Sequence, residues 1–214
     1  MIAEKLHQIL EDIPSHVTLV AVSKTKPNSA IMTAYESGQR DFGENKVQDL
    51  ATKAEELPND IHWHMIGHLQ SNKVKYIAPF VHLIHAVDSF KLLKEINKRA
   101  QQNERVINCL LQIHIAQEQT KFGFSESEVK TILSEASQLE YVCVRGLMGM
   151  ATYTSDIRVV RQEFASLKNL FDELKESQPE FEILSMGMSG DYVAAIEEGS
   201  TMVRVGSAIF GSRA

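Results

Sequence analysis

The chain has 214 residues, with 28 acidic and 22 basic side chains and a formal net charge of -6. This acidic balance argues against a general nucleic-acid-binding surface, because binding along a phosphate backbone needs a positive field. No apolar run approaches the ~20 residues that a membrane helix requires. The length suits one domain with a sizeable core, and we expect residues 1–214 to form a single domain.

The beginning of the chain and its cysteines both predict a cytoplasmic protein. The segment MIAEKLHQILEDIP has the pattern of an amphipathic helix with acidic residues. It lacks the order of a signal peptide, in which basic residues precede an apolar stretch. Cys109 and Cys143 each lie alone in an apolar segment, which is typical of buried, reduced thiols.

Eight apolar segments of strand length recur along the chain with helix-like segments between them. The predicted strands cover residues 18–24, 41–44, 62–67, 83–87, 106–115, 142–150, 181–186 and 201–207. The predicted helices between them cover residues 27–38, 46–57, 71–78, 88–102, 125–138, 156–176 and 191–199. Most strands are continuously apolar, as parallel strands covered on both faces are. The pattern predicts a single (β/α)8 barrel, or TIM barrel, although an open doubly wound sheet has the same periodicity.

A barrel of this kind places its functional residues at the C-terminal ends of the strands. Lys24 ends the first strand, where partial desolvation would lower the pKa of its amine and make it nucleophilic. A solvated loop lysine is the alternative, since Lys26 is only two residues further on. Asn45 ends the neighbouring second strand and either orients a ligand or caps the following helix.

Arg204 interrupts the apolar eighth strand in the segment MVRVG. Alternation places its side chain on the same face as Met202 and Gly206. A buried arginine must be paired or must face a ligand. We therefore expect Arg204 either to contact a ligand or to pair with an acid of a neighbouring strand, such as Glu44.

A phosphate site is predicted where the seventh and eighth strands end. Gly206 and Ser207 follow the eighth strand, and Ser185 is expected at the end of the seventh. TIM barrels often bind phosphate at these two strand ends, where backbone N–H groups and hydroxyls accept an anion. Two ordinary turns would give the same residues.

No metal site is expected from the histidines. His62 and His64 share one face of the third strand, and His68, His82 and His85 follow. No cysteine or well-placed carboxylate completes a ligand set for them in the sequence. Histidines in the core or in a pocket wall are the simpler interpretation.

Taken together, these segments resemble the YggS/PROSC family of pyridoxal 5′-phosphate (PLP) homeostasis proteins. The resemblance covers nearly the whole chain in order, and its last segment, the lysine segment and WHMIGHLQSNK are the most distinctive. One departure is Lys46, where many members of the family have tyrosine. The resemblance therefore does not predict the detail of that part of the pocket wall. The segments that carry the resemblance are VAVSKTKP, DFGENKVQDL, WHMIGHLQSNK, HAVDS, RGLMGMATYT and LSMGMSGDYVAAIEEGSTMVRVGSAIFGSR.

The resemblance implies a single barrel like the N-terminal domain of alanine racemase, the fold type III of PLP proteins. It implies that Lys24 carries PLP as an internal aldimine, a Schiff base, and that Arg204 faces the pyridine nitrogen. It also implies that the phosphate is held by Ser185, Gly206 and Ser207, and that Asn45 lies beside the cofactor. The family is linked to vitamin B6 homeostasis, with PLP-requiring apo-enzymes as candidate recipients.

The residue types favour a cofactor holder over an enzyme. A guanidinium stays charged and accepts no proton, so the ring nitrogen facing Arg204 stays unprotonated and is a poorer electron sink. The chain also leaves no residues for the second racemase domain, so a monomer is expected. One alternative is a small racemase that uses Lys24 and a second proton donor, either Tyr153 or a histidine. Another is a Schiff-base aldolase acting on a sugar phosphate.

Overall fold

The computed structural model describes residues 1–117 and 122–211. A first helix, α1 (Ile2–Asp12), precedes an alternation of strands and helices. The strands are β1 (Thr18–Val22), β2 (Asp41–Glu44), β3 (His62–Met65), β4 (Leu83–Val87), β5 (Ile107–Gln112), β6 (Val142–Met148), β7 (Ile183–Met188) and β8 (Met202–Val205). The helices after α1 are α2 (Asn28–Glu36), α3 (Val47–Glu56), α4 (Val74–Ile77), α5 (Phe90–Gln102), α6 (Glu126–Ala136), α7 (Ile157–Lys175), α8 (Tyr192–Glu197) and α9 (Ser207–Phe210), with a 3-10 turn at Ser71–Lys73 before α4.

The eight strands form a closed barrel in the order in which they occur in the chain. Every neighbouring pair is parallel, and β8 closes the barrel by pairing with β1, where Thr18 lies opposite Met202. The expected (β/α)8 barrel is therefore confirmed, and the open doubly wound sheet is excluded. All eight strands run in one direction, so their C-terminal ends meet on one face.

Local sequence signals explain where several helices begin. Ser125 and Glu128 form a reciprocal capping box at the start of α6, which satisfies backbone N–H groups that have no partner within the helix. Ser89 caps α5, its Oγ accepting a hydrogen bond from the Leu92 backbone N–H at 3.3 Å.

Within the described ranges, no helix is both long and apolar enough to cross a membrane. Cys109 is buried as expected, whereas Cys143 is partly exposed, and both are free thiols.

The sheet separates two groups of buried side chains. A large apolar core lies between the strands and the surrounding helices, and α7 contributes one face of apolar residues to it. Alternation along the strands directs the other side chains into the barrel. A small apolar cluster lies there, formed by Val20, Leu83, Ala86, Leu110, Met148 and Met202. Buried polar residues share this interior, and they connect it to the functional face.

Strand β7 ends two residues later than the sequence predicted. Its pairing with β8 is irregular, because Ser185 lies opposite Met202 and Met188 lies opposite Arg204. Within this bulge Gly187 has φ +98°, and a Cβ there would lie 2.6 Å from the Cβ of Ala195. Glycine alone adopts this backbone conformation readily and leaves that space empty. The expected position of Ser185 at the strand end is therefore wrong, since the residue lies in mid-strand.

Candidate functional site

A cavity of about 710 Å³ opens at the C-terminal ends of the strands. Five of the six residues that the sequence singled out line it, namely Lys24, Asn45, Arg204, Gly206 and Ser207. This volume is typical of a small-molecule site. The sixth residue, Ser185, is not part of the lining. The exposed side chains of His68, Phe122, Tyr153 and Met188 surround the opening.

Lys24 reaches the cavity from a tight turn that follows β1. The turn is closed by a hydrogen bond of 3.0 Å from the Lys26 N–H to the Ser23 carbonyl. Thr25 adopts φ +65° within it, a conformation that is unfavourable for a β-branched residue. Strained residues of this kind are concentrated at functional sites. This strain could not be predicted from the sequence, because threonine is not a typical residue for a left-handed turn.

A buried ion pair supports the turn from outside the barrel. Lys53 of α3 donates hydrogen bonds from Nζ to Glu44 Oε1 at 2.7 Å and to the Ser23 carbonyl at 3.0 Å. The Ser23 hydroxyl donates to the same Glu44 oxygen at 2.5 Å. Burial raises the pKa of Glu44, and the bonds from Lys53 and Ser23 oppose that rise. Glu44 thus pairs with Lys53, and the expected alternative of a pair with Arg204 is wrong.

Arg204 is buried inside the barrel at the floor of the cavity. Its Nη1 donates to the Ser185 carbonyl at 2.9 Å and to Ser185 Oγ at 2.5 Å, and its Nη2 donates to the Gly149 carbonyl at 3.1 Å. Burial lowers the pKa of Arg204 to about 10, so the side chain stays charged at neutral pH. Within the described ranges, no carboxylate is among its hydrogen-bond partners.

Ser185 begins a line of hydrogen bonds that runs through the barrel interior away from the cavity. Its Oγ lies 3.0 Å from His85 Nδ1, and His85 Nε2 lies 2.9 Å from His64 Nδ1. His64 Nε2 lies 3.0 Å from Asp41 Oδ1, at the first residue of β2. Both histidines are fully buried. Burial, followed by the charges of His64 and Arg204, lowers the pKa of His85 well below its ordinary value.

The two ends of this line have fixed hydrogen-bonding roles. Arg204 has only donors, and the Asp41 carboxylate has only acceptors. His64 therefore donates to Asp41 from Nε2, and Ser185 Oγ accepts from Arg204. Ser185, His85 and His64 thus form one continuous line between the guanidinium and the carboxylate.

Ser189, not Ser185, lies beside the residues expected to bind phosphate. Its Oγ accepts a hydrogen bond of 3.1 Å from the Gly206 N–H, and both residues line the cavity. The bulge in β7 accounts for the difference, since it shifts the strand end toward Ser189. A serine four residues further along the same segment was the signal that sequence reasoning missed.

A histidine–carboxylate pair on the rim was also missed. His68 Nδ1 lies 3.0 Å from Asp88 Oδ2, and its ring stacks on Phe122 with centroids 4.4 Å apart. The next residue, Ser89, caps α5, and the Asp88 carboxylate contacts His68 instead. The pair places a second group able to transfer protons in the cavity that contains Lys24.

At the N-terminal end of the barrel, a carboxylate lies beside the histidines of β3. Asp41 Oδ1 lies 3.3 Å from His62 Nδ1 and 3.0 Å from His64 Nε2. The expectation that no carboxylate lies near these histidines is wrong, because Asp41 is the register partner of His62 on the neighbouring strand. Burial alone would raise the pKa of Asp41, but the hydrogen bond from His64 and the nearby His62 and His82 lower it below its ordinary value.

Comparisons with known proteins agree with this fold. The family model described as "Alanine racemase, N-terminal domain" matches residues 1–214. Alanine racemase of Clostridium difficile has a similar fold, with a TM-score of 0.82 at 15% identity, and the match covers 99% of this chain and 59% of the racemase. At that identity the likeness concerns the fold alone.

More similar proteins define a narrower group. A pyridoxal phosphate homeostasis protein of Vibrio alginolyticus is 43% identical over 205 residues, which is 94% of this chain and 88% of that protein. One of Aquifex aeolicus is 42% identical over 197 residues, covering 91% and 86%. PipY of Synechococcus elongatus is 37% identical and covers 99% of this chain and 100% of its own; its TM-score is 0.94 without PLP and 0.90 with PLP bound. The chain therefore belongs to the pyridoxal phosphate homeostasis family, within the alanine racemase N-terminal domain family.

Proposed function

We propose that this protein binds PLP through Lys24 and takes part in the intracellular homeostasis of this cofactor, without significant catalysis. The observation that carries the proposal is one open cavity lined by a lysine, a buried guanidinium and a corner of glycine and serine residues. Family membership supports it, since the relatives are named for PLP homeostasis and PipY has been solved with PLP bound.

Each residue has a distinct role in the proposal. The Lys24 amine attaches the cofactor through its aldehyde, while Arg204 faces the pyridine nitrogen. Gly206 and Ser207 hold the phosphate, and Ser189 takes the role first expected of Ser185. Asn45 lies beside the ring, on the strand next to Lys24. A PLP molecule thus meets an amine, a cation and an anion-binding corner, which are the groups that its aldehyde, ring nitrogen and phosphate require.

The charge on Arg204 argues against strong catalysis. Bound PLP stabilises negative charge at the α-carbon of an amino acid, and it does so best when its ring nitrogen is protonated. Arg204 donates hydrogen bonds and gives up no proton near neutral pH. The residues around Arg204 therefore favour holding the cofactor over using it. The open rim at Phe122 and Tyr153 suits release of PLP to recipient apo-enzymes, and a monomer would leave that rim accessible.

The test is to mix the purified protein with PLP, record its absorption spectrum, reduce it with borohydride and map the modified peptide. We expect a yellow protein with a phosphopyridoxyl adduct on Lys24. Lys24→Ala should remove the adduct. Lys26→Ala is the matched control, because Lys26 lines the same cavity and its removal should leave the adduct in place. A colourless, unmodified protein would contradict the proposal and favour the aldolase alternative.

A small racemase is the second candidate, and the His68–Asp88 pair is the observation that favours it. With Lys24 it would give two proton-transfer groups in one cavity, as a racemase requires. The test follows exchange of the α-hydrogen of alanine with deuterated water. Turnover faster than about one per second, lost in His68→Ala, would establish the racemase. Absence of exchange in a PLP-loaded protein supports the cofactor holder.

A further inference from the structure

The N-terminal end of the barrel, opposite the cavity, brings three ligating side chains together. Asp41, His62 and His82 each offer one oxygen or nitrogen atom, and these atoms all lie within 4.8 Å of one another. We propose that these three residues bind a divalent transition-metal ion, with Zn²⁺ as the reference ion. This site is separate from the cofactor cavity, and the proposal does not depend on PLP binding.

The barrel itself positions the three residues. Asp41 and His62 are register partners at the first positions of β2 and β3. His82 directly precedes β4, and its N–H donates to the Trp63 carbonyl at 2.9 Å. Because three adjacent strands of one closed sheet carry the ligands, their backbone positions are held rigidly. Histidines 20 residues apart thus converge on a carboxylate from a third segment.

The set of donors selects the class of metal. Two imidazoles and one carboxylate bind Zn²⁺ and other late first-row ions, whereas Mg²⁺ and Ca²⁺ prefer sites made of oxygen ligands alone. Three protein ligands also leave positions for water or a further ligand, as in open zinc sites. The proposed occupant is therefore an ion of the Zn²⁺, Ni²⁺ or Co²⁺ type.

The distances suit such an ion after a small change of side-chain torsion. Tetrahedral zinc ligands lie about 3.4 Å from one another, given bonds of about 2.0–2.1 Å. The Asp41 Oδ1 to His62 Nδ1 distance is already 3.3 Å. The His62 and His82 rings stack with centroids 4.4 Å apart, and both are exposed enough to rotate toward a common point.

Asp41 is also oriented by a residue behind it. Buried His64 lies 3.0 Å from the same Asp41 oxygen, Oδ1, and this contact fixes the orientation of the carboxylate. Outer hydrogen bonds of this kind are typical of metal-binding carboxylates, and losing them usually weakens metal affinity. The surface pair of His7 and Glu11, 3.1 Å apart, provides a comparison. It offers two groups from the single helix α1, whereas the proposed site combines three ligands from three segments of the barrel.

Calorimetric titration of the metal-free full chain with ZnCl₂ tests the proposal. We expect one ion per chain with a dissociation constant below about 100 μM. His62→Ala and His82→Ala should each weaken binding at least about tenfold, because each removes a ligand. His7→Ala, which removes the surface pair on α1, is the matched control and should change nothing. Co²⁺, followed by its visible ligand-field absorption, should give the same order of variants.

Binding weaker than about 100 μM in the native protein, or equal affinity in the native protein and both variants, would overturn the proposal. His62 is half-exposed, so its removal should leave the fold intact, and the fluorescence of Trp63 checks this. The PLP adduct on Lys24, measured on the same samples, reports separately on the proposed function. A protein that forms the adduct but binds no Zn²⁺ would contradict this inference alone.

Discussion

Arg204 and Asp41 lie at opposite ends of one line of hydrogen bonds that passes through Ser185, His85 and His64. The arginine lines the cavity, whereas the carboxylate lies at the other end of the barrel. Hydrogen bonds joined in such a line polarise one another in a low-dielectric interior. Arg204, which has no carboxylate among its described hydrogen-bond partners, is thereby linked to one at a distance. This arrangement holds the guanidinium at the place proposed for the pyridine nitrogen.

The first prediction separates Ser185 of β7 from Ser189, which directly follows that strand. Ser189→Ala should weaken PLP binding at least about tenfold, because it removes a hydrogen bond to a charged phosphate. The affinity for pyridoxal, which has no phosphate, should be unchanged. Ser185→Ala should leave the ratio of the two affinities as it is, since Ser185 contacts Arg204 and lies outside the cavity. Absorption titrations with both ligands measure the ratio.

The comparison of ligands makes this prediction specific. A general loss of structure would weaken PLP and pyridoxal equally in either variant. If Ser185→Ala lowered the affinity for PLP alone, the sequence-based expectation would be restored and the role given to Ser189 would be wrong.

The second prediction concerns pH. The pKa of buried His85 is well below the ordinary 6.5, so the unfolded chain takes up this proton first as the pH falls. Stability contributed by neutral His85 is therefore complete above about pH 6.5 and is lost below it, at up to about 1.4 kcal/mol per pH unit. His85→Gln should flatten the decline in the free energy of unfolding between pH 6.5 and 5.

Urea denaturation at several pH values, followed by the fluorescence of Trp63, measures that slope. Trp63 is the only tryptophan of the chain and is buried. His7→Gln, a change on the exposed face of α1, is the control and should keep the native slope. An unchanged slope in His85→Gln would show that His85 does not remain neutral in the folded protein.

Much of the fold and several cavity residues could be predicted from the sequence for physical reasons. Continuous apolar segments separated by helices indicate parallel strands, and strands that all point one way place Lys24, Arg204 and Gly206 on one face. An arginine inside an apolar strand is costly to bury, so its position alone indicated an interaction. These inferences depend on alternation and chain order, which the sequence contains directly.

The remaining features depend on register and closure. A bulge at Gly187 moves the end of β7, and the predicted strand of residues 181–186 gave no indication of it. The contacts of His85 with Ser185 join residues 100 positions apart in sequence, and they exist only because the barrel closes. Asp41 meets His62 through strand register. No local pattern contains such information.

The third prediction tests that bulge. Gly187→Ala should destabilise the fold by about 1–3 kcal/mol, because alanine is disfavoured at φ +98° and its Cβ would overlap that of Ala195. PLP binding should weaken as well, since the bulge positions Ser189. Gly190→Ala is the matched control, because Gly190 also lines the cavity and a Cβ there meets no atom within 4 Å. Equal stability of the two variants would contradict the role given to the bulge.

The fourth prediction concerns the ion pair beneath the Lys24 turn. Lys53→Met should cost about 3–5 kcal/mol near pH 7.5, because it leaves the buried Glu44 carboxylate without its cation. The double variant Glu44→Gln with Lys53→Met should be more stable than Lys53→Met alone, since no buried charge remains.

The pKa of Glu44 is already raised by burial, and losing Lys53 raises it further. The deficit of Lys53→Met should therefore shrink as the pH falls toward 5, where the folded protein takes up the proton more readily than the unfolded chain. Denaturation curves at pH 7.5 and 5.5 measure both effects, and a deficit that stays constant or grows on acidification would mean that Glu44 is not the group responsible.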